Sequence, residues 1–167
     1  MSAAAPRTIE MKVWRLALDE RTDTPVVMLQ EADGDRLLPI WIGRAEARAI
    51  AMELAGRKFQ RPLTHDLIKT IIDGLDGAVA KITIVELKDS TFYAKIFIQK
   101  ADEIVGIDAR PSDSIAIALR TRSPIFAAEE LLQPQPTPDN LSEDERAEAL
   151  RRYLEEMDPE DFGKSSF

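Results

Sequence analysis

VAKITIVELKDSTFYAKIFIQ, residues 79–99, is the stretch that decides the fold class. In its second half, Phe92, Ala94, Ile96 and Ile98 alternate with Tyr93, Lys95, Phe97 and Gln99. A period of two sends successive side chains to opposite faces of an extended chain, so Thr91–Gln99 is expected to be a strand with one apolar face. Val79–Leu87 is equally rich in Val, Ile and Thr, and Lys88-Asp89-Ser90 between the two runs is a tight polar turn. The pair reads as an antiparallel hairpin.

Working outward, Ile104–Ala109 and the short Ile125–Ala127 are further strands. Between them Ser112 is placed to cap a helix through Arg120, with Ile115, Ala116, Ala118 and Leu119 on its apolar side. Upstream, Thr64 follows Pro62 and opens a helix in which Leu67, Ile68, Ile71, Ile72 and Leu75 form one stripe, with Gly74 and Gly77 closing it. Further upstream lie three strands, Met11–Leu18, Val26–Gln30 and Leu37–Ile42. Ala32-Asp33-Gly34-Asp35 turns between the second and third. An alanine-rich helix, Arg44–Leu54, follows and stops at Gly56.

The two halves correspond at a constant offset of 67 residues: Thr24 with Thr91, Ile40 with Ile107, Glu46 with Asp113, and Ala49-Ile50-Ala51 with Ala116-Ile117-Ala118. The fold class expected is α+β. A duplicated strand–strand–strand–helix unit would form a mixed, mainly antiparallel sheet that could curl toward a barrel, with its two copies about a pseudo-twofold axis.

At 167 residues and 44% apolar content, one domain with an extension is expected. Residues 1–10 are read as a disordered N-terminus, 11–132 as the domain, 133–141 as a proline-rich linker and 142–167 as an acidic C-terminal helix and tail. In that tail Ser142 and Glu145 have capping-box spacing, and Ala147, Leu150, Leu154 and Met157 form a narrow stripe able to lie on the domain or support a homodimer or higher homo-oligomer. No apolar run reaches the length of a membrane span, and Met1–Arg7 lacks the apolar core of a signal peptide. The absence of cysteine excludes disulfides, thiolate metal sites and a cysteine nucleophile, and suits a cytoplasmic protein. The net charge of −8 opposes broad attraction to nucleic acid. Six of those negative charges lie in residues 134–167, with four basic and ten acidic side chains, so residues 1–133 are nearly neutral and can carry a local basic face.

Four motifs stand out: Leu38-Pro39-Ile40-Trp41-Ile42-Gly43 followed by Glu46-Ala47; Arg61-Pro62-Leu63-Thr64-His65-Asp66-Leu67; Thr91-Phe92-Tyr93-Ala94; and Asp108-Ala109-Arg110-Pro111-Ser112-Asp113-Ser114-Ile115. In this order they resemble the bifunctional nuclease family, with Ser114 where alanine is usual. Pro124-Ile125-Phe126 fits the closing strand, and the resemblance spans Met11 to Leu132. The family takes its name from plant members described as degrading both RNA and DNA, so the resemblance implies a nuclease acting on RNA or DNA.

The motif residues carry their own chemistry. His65, the sole histidine, sits at a helix start beside Asp66. It is either a general base or acid for phosphodiester cleavage, with Asp66 and Asp113 as further catalytic candidates, or a residue bonded to a carbonyl while Thr64 and Asp66 cap the helix. Asp108, Asp113 and Glu46 are hard oxygen donors that could share Mg²⁺ or Mn²⁺; alternatively Asp108 pairs with Arg110 and Asp113 caps a helix. Arg61, Arg110 and Arg44 are the phosphate-binding candidates, within a wider basic group that includes Arg48, Arg57 and Lys58; the alternative is a solvated charged surface. A non-enzymatic regulatory or scaffold module is the rival to nuclease function, and hydrolysis of a small phosphorylated molecule is a third reading.

Overall fold

In a computed structural model, residues 5–134 and 142–156 are described. Seven strands form one open sheet in the order β3-β2-β1-β7-β4-β5-β6. β1 (Thr8–Asp19), β2 (Thr24–Glu31) and β3 (Leu37–Trp41) make one antiparallel meander, and α1 (Arg44–Leu54) follows. After α2 (Thr64–Gly74), the pattern recurs with β4 (Gly77–Lys88), β5 (Thr91–Lys100), β6 (Glu103–Ala109) and α3 (Pro111–Thr121). β7 (Ile125–Ala128) lies between the halves, antiparallel to β1 and parallel to β4. β1 and β4 therefore run oppositely, as a pseudo-twofold normal to the sheet requires. The sheet keeps two edges, β3 and β6, and so does not close into a barrel.

The expected strands and helices are all present among the described residues, with boundaries moved where tertiary partners decide them. β1 begins at Thr8 rather than Met11, because Thr8–Met11 pair with Ala128–Ile125 of β7. Thr64 is the first helical residue of α2, not its cap: the Leu63 N–H donates to the Asp66 carboxylate at 2.9 Å, satisfying the chain just before the helix. Arg110, not Ser112, is the N-cap of α3, and Pro111 occupies the first turn, where its fixed φ suits a helix and no N–H is missed. α1 ends as expected at Gly56, whose φ of +65° lets the Arg57 N–H close back onto the Met52 carbonyl.

Strand alternation sends Ile82, Ile84, Ala94 and Ile96 to one face of the sheet, where they meet Ile115, Ala116, Ile117 and Ala118 of α3 and Ile50 of α1 in one core. α3 is buried along nearly its whole length, between α1, α2 and the sheet. Ala116 and Ala118 are small enough to let neighbouring backbones approach. A smaller cluster, Val26, Met28, Leu37 and Trp41, packs on the other face with Trp14 and Ala17. There Trp41 Nε1 donates to the buried Asp19 carboxylate at 3.0 Å.

Gln133, expected to begin the linker, exchanges backbone hydrogen bonds with Leu37 at 2.8 and 2.7 Å and so caps the β3 edge. The linker from residue 135, and Met157 of the tail stripe, lie outside the described residues. α4 (Glu143–Glu156) starts with Ser142 and Glu145 bonded reciprocally, and it touches β1; Arg151 pairs with Glu20, just past the end of that strand, at 3.7 Å.

Candidate functional site

The N-termini of α1, α2 and α3 converge at the C-terminal end of β6. Between them lies a cleft of about 850 Å³ whose lining includes Glu46, Arg48, His65, Asp108, Arg110 and Asp113. Its remaining walls are largely apolar, with Met52, Phe59, Ile68, Ile96, Ile107 and Ile117.

The polar end of the cleft is a connected chain of four side chains. His65 Nε2 meets Asp113 Oδ1 at 2.9 Å. Arg110 Nε donates to Asp113 Oδ2 at 2.8 Å, and its Nη2 donates to Glu46 Oε1 at 3.0 Å. Glu46 and Asp113 each stand in the first turn of their helices, so the duplication brings two equivalent carboxylates onto one guanidinium. The Arg110 backbone is fixed by Ser114, whose hydroxyl and N–H both donate to the Arg110 carbonyl, at 2.9 and 3.0 Å. His65 is only 9% exposed, whereas the Arg110 side chain is 55% exposed. The His65 hydrogen bond holds the Asp113 carboxyl down at about 2, against the opposing effect of burial and with further help from Arg110. Arg110 is in turn raised, chiefly by Asp113.

The other sequence candidates fall elsewhere. Asp66 is next to His65 in the chain, yet its carboxylate serves the fold. Burial would raise it, but the Leu63 N–H and Arg120 outweigh that and hold it below the usual range. Arg120, whose side chain is 3% exposed, donates to Asp66 Oδ1 at 2.7 Å and to the carbonyls of Ala116 and Ala49, tying α3 to α2 and α1. Asp108 is exposed on the cleft rim, and its register partner on β5 is Lys95. Arg44 pairs with Asp23 beside a separate hollow, and Arg61 is exposed and does not line the cleft. Arg48, by contrast, lines the cleft and makes no ion pair among the described residues. Sequence reading placed it only in a general basic group, since nothing local distinguishes it from Arg44. Arg120 gave no local signal either, beyond sharing a helical face with Asp113 and Ile117.

The bifunctional nuclease domain model matches residues 27–140. The chain belongs to the bifunctional nuclease family. An uncharacterized protein of Mycobacterium tuberculosis is 40% identical over 162 residues, covering 92% of this chain and 97% of that protein. Bifunctional nuclease 1 of rice (Oryza sativa subsp. japonica) is 24% identical over 151 residues, covering 84% of this chain and 44% of the plant protein. Bifunctional nuclease 1 of Arabidopsis thaliana is 29% identical over 105 residues, covering 60% of this chain and 32% of that protein. All four cleft residues of the connected chain lie inside the matched bifunctional nuclease domain.

Two of the three carboxylates foreseen as metal ligands, Asp113 and Glu46, are engaged by the chain's own side chains. Both Asp113 oxygens and one Glu46 oxygen already accept hydrogen bonds, and the Arg110 guanidinium stands between them where a shared cation would sit. Among the described residues no three His, Asp or Glu side chains are grouped to hold a metal ion. As arranged, Asp108, Asp113 and Glu46 do not fit a common metal. They fit a site in which a guanidinium supplies the positive charge. No described helix is long and apolar enough to cross a membrane.

Proposed function

We propose that the chain hydrolyses phosphodiester bonds of RNA or DNA in the cytoplasm, with the cleft between α1, α2 and α3 as its active site. The contact of His65 Nε2 with Asp113 on the cleft wall carries this reading. A carboxylate on one ring nitrogen orients the imidazole and stabilises its protonated form, which leaves Nδ1 to exchange protons with a substrate. His65 takes a proton from the attacking water, whose oxygen bonds to phosphorus as the bond to the leaving oxygen breaks. The departing oxygen, on the far side of phosphorus, takes its proton from solvent water, and His65 then releases its own proton to solvent. Arg48 and the Nη1 of Arg110 donate to the non-bridging oxygens, where charge accumulates. The apolar walls, Phe59 among them, suit an unstacked base. Family membership and the names of the plant relatives support the same chemistry.

One observation favours a rival. Glu46, Arg110 and Asp113 satisfy one another, as they would in a non-enzymatic binding module. The test is incubation of the purified chain with labelled single- and double-stranded RNA and DNA, beside His65→Ala and Asp113→Asn. The steps above use no metal, but Asp108 and the second Glu46 oxygen are hard donors near the cleft, so each assay is run with Mg²⁺, with Mn²⁺ and with chelator. Loss of the proton carrier is expected to slow cleavage by roughly 10²–10⁴-fold. Cleavage unchanged in both variants refutes the site, and binding without cleavage by the unsubstituted chain transfers the assignment to the rival.

A further inference from the structure

The two edges of the sheet are treated differently. β3 carries Pro39, is fully buried, and is capped by Gln133. β6 has no such protection: among the described residues its only strand partner is β5, in unbroken register. It contains no proline, lysine or bulge, the devices that normally stop an edge from pairing. Its two acids stand opposite lysines of β5 in register, Glu103 opposite Lys100 and Asp108 opposite Lys95, an arrangement of unlike charges on neighbouring strands. Ile104, Val105 and Ile107 are 61, 47 and 44% exposed. On the helix side, α2 and the Leu75 that caps its C-terminus turn Leu67, Ile71 and Leu75 to solvent at four-residue spacing. The inward neighbours of that stripe reach β5: Ile68 lines the cleft with Ile96, and Ile72 and Ile98 both approach Gly77.

We infer that β6 pairs antiparallel with β6 of a second copy of this chain, about a twofold axis at Gly106, giving a homodimer with one continuous sheet. In that register Val105 faces Ile107 of the second copy, Ile104 faces Asp108, and Glu103 faces Ala109. No like charges are opposed. A slip of one residue sets Glu103 against Asp108 and turns the two helix layers to opposite sides of the sheet, because strand side chains alternate. The Gly106 register keeps both helix layers on one side, so the α2 stripes of the two copies flank the junction. An isologous contact of this kind closes on itself and leaves no further β6 edge. Ile107 then serves twice, as cleft wall and as interface, so the two clefts open close to the dimer axis on the same face.

The full chain is tested by sedimentation across micromolar concentrations, where twice 18.7 kDa is expected. Val105→Lys and Ile71→Lys, both at exposed positions, should weaken dimerisation about tenfold or more, while circular dichroism stays that of the folded chain. The register is read separately. The chain has no cysteine, and a side chain at Gly106 would meet the Phe97 ring from 3.4 Å and the Lys95 side chain at 4.0 Å, both ordinary contact distances. Facing residues of an antiparallel pair lie about 4.5–5.5 Å apart, within disulfide reach. Gly106→Cys should therefore give a cross-linked dimer on mild oxidation, and Ile104→Cys should not. A chain that is monomeric throughout overturns the inference. So does a dimer that survives Val105→Lys but is lost in Ala147→Glu on α4.

Discussion

Replacing Asp113 by asparagine tests the electrostatics of the cleft without any assumption about its substrate. The Asp113 carboxyl is held at about 2 in the folded chain, first by His65 and then by Arg110, against an ordinary 3.8. Its side chain is 27% exposed, so solvent screens the interaction only in part. A depression of this size corresponds to about 2 kcal/mol of stability. The unfolded chain binds the proton more readily than the folded chain, so this contribution is complete above roughly pH 4 and disappears as pH falls through about 2. Asp113→Asn cannot titrate. The stability difference between the two proteins should therefore be about 2 kcal/mol at pH 5 and shrink toward zero near pH 2. Asp66, Glu31 and Glu145 are lowered as well, but they are common to both proteins and cancel in the difference. Urea unfolding followed by tryptophan fluorescence at closely spaced pH values supplies the measurement. A difference that stays constant from pH 5 to 2 would refute the view that His65 and Arg110 hold a charged Asp113.

Other perturbations probe separate joints. Arg120→Met removes the side chain tying α3 to Asp66, Ala49 and Ala116, and should cost about 3 kcal/mol in chemical denaturation, because breaking one side of a largely buried ion pair strands the other. Trp41→Phe keeps one aromatic ring but removes the five-membered ring that carries the donor to the buried Asp19 carboxylate, and about 1–3 kcal/mol should be lost by the same assay. Ser114→Ala removes the hydroxyl bond to the Arg110 carbonyl while the backbone bond remains, so about 1 kcal/mol or less is expected in thermal unfolding. If the chain cleaves nucleic acid as proposed, Arg48→Ala should lower kcat/KM about tenfold or more in steady-state kinetics, since one charge-assisted hydrogen bond to the phosphoryl oxygens is lost as charge develops on them.

Local pattern in the sequence determined which segments are strands and helices, where the duplication falls and which family the motifs resemble. These properties depend on side-chain period and short-range spacing, and a one-dimensional string carries both. The starts of β2 and β5 at Thr24 and Thr91, and of α1 and α3 at Arg44 and Pro111, keep the 67-residue offset in three dimensions. What the string could not decide is which polar groups face one another. His65 and Asp113 lie 48 positions apart, and Glu46 and Arg110 lie 64 apart. Their meeting follows from helix crossing angles over a shared core. Asp66 and Asp113 both read as acids near a helix start, yet packing gives one to Arg120 and the other to the cleft. The placing of β7 between the halves, which moves the start of β1 and leaves β6 as an open edge, likewise depends on long-range strand pairing that no local pattern specifies.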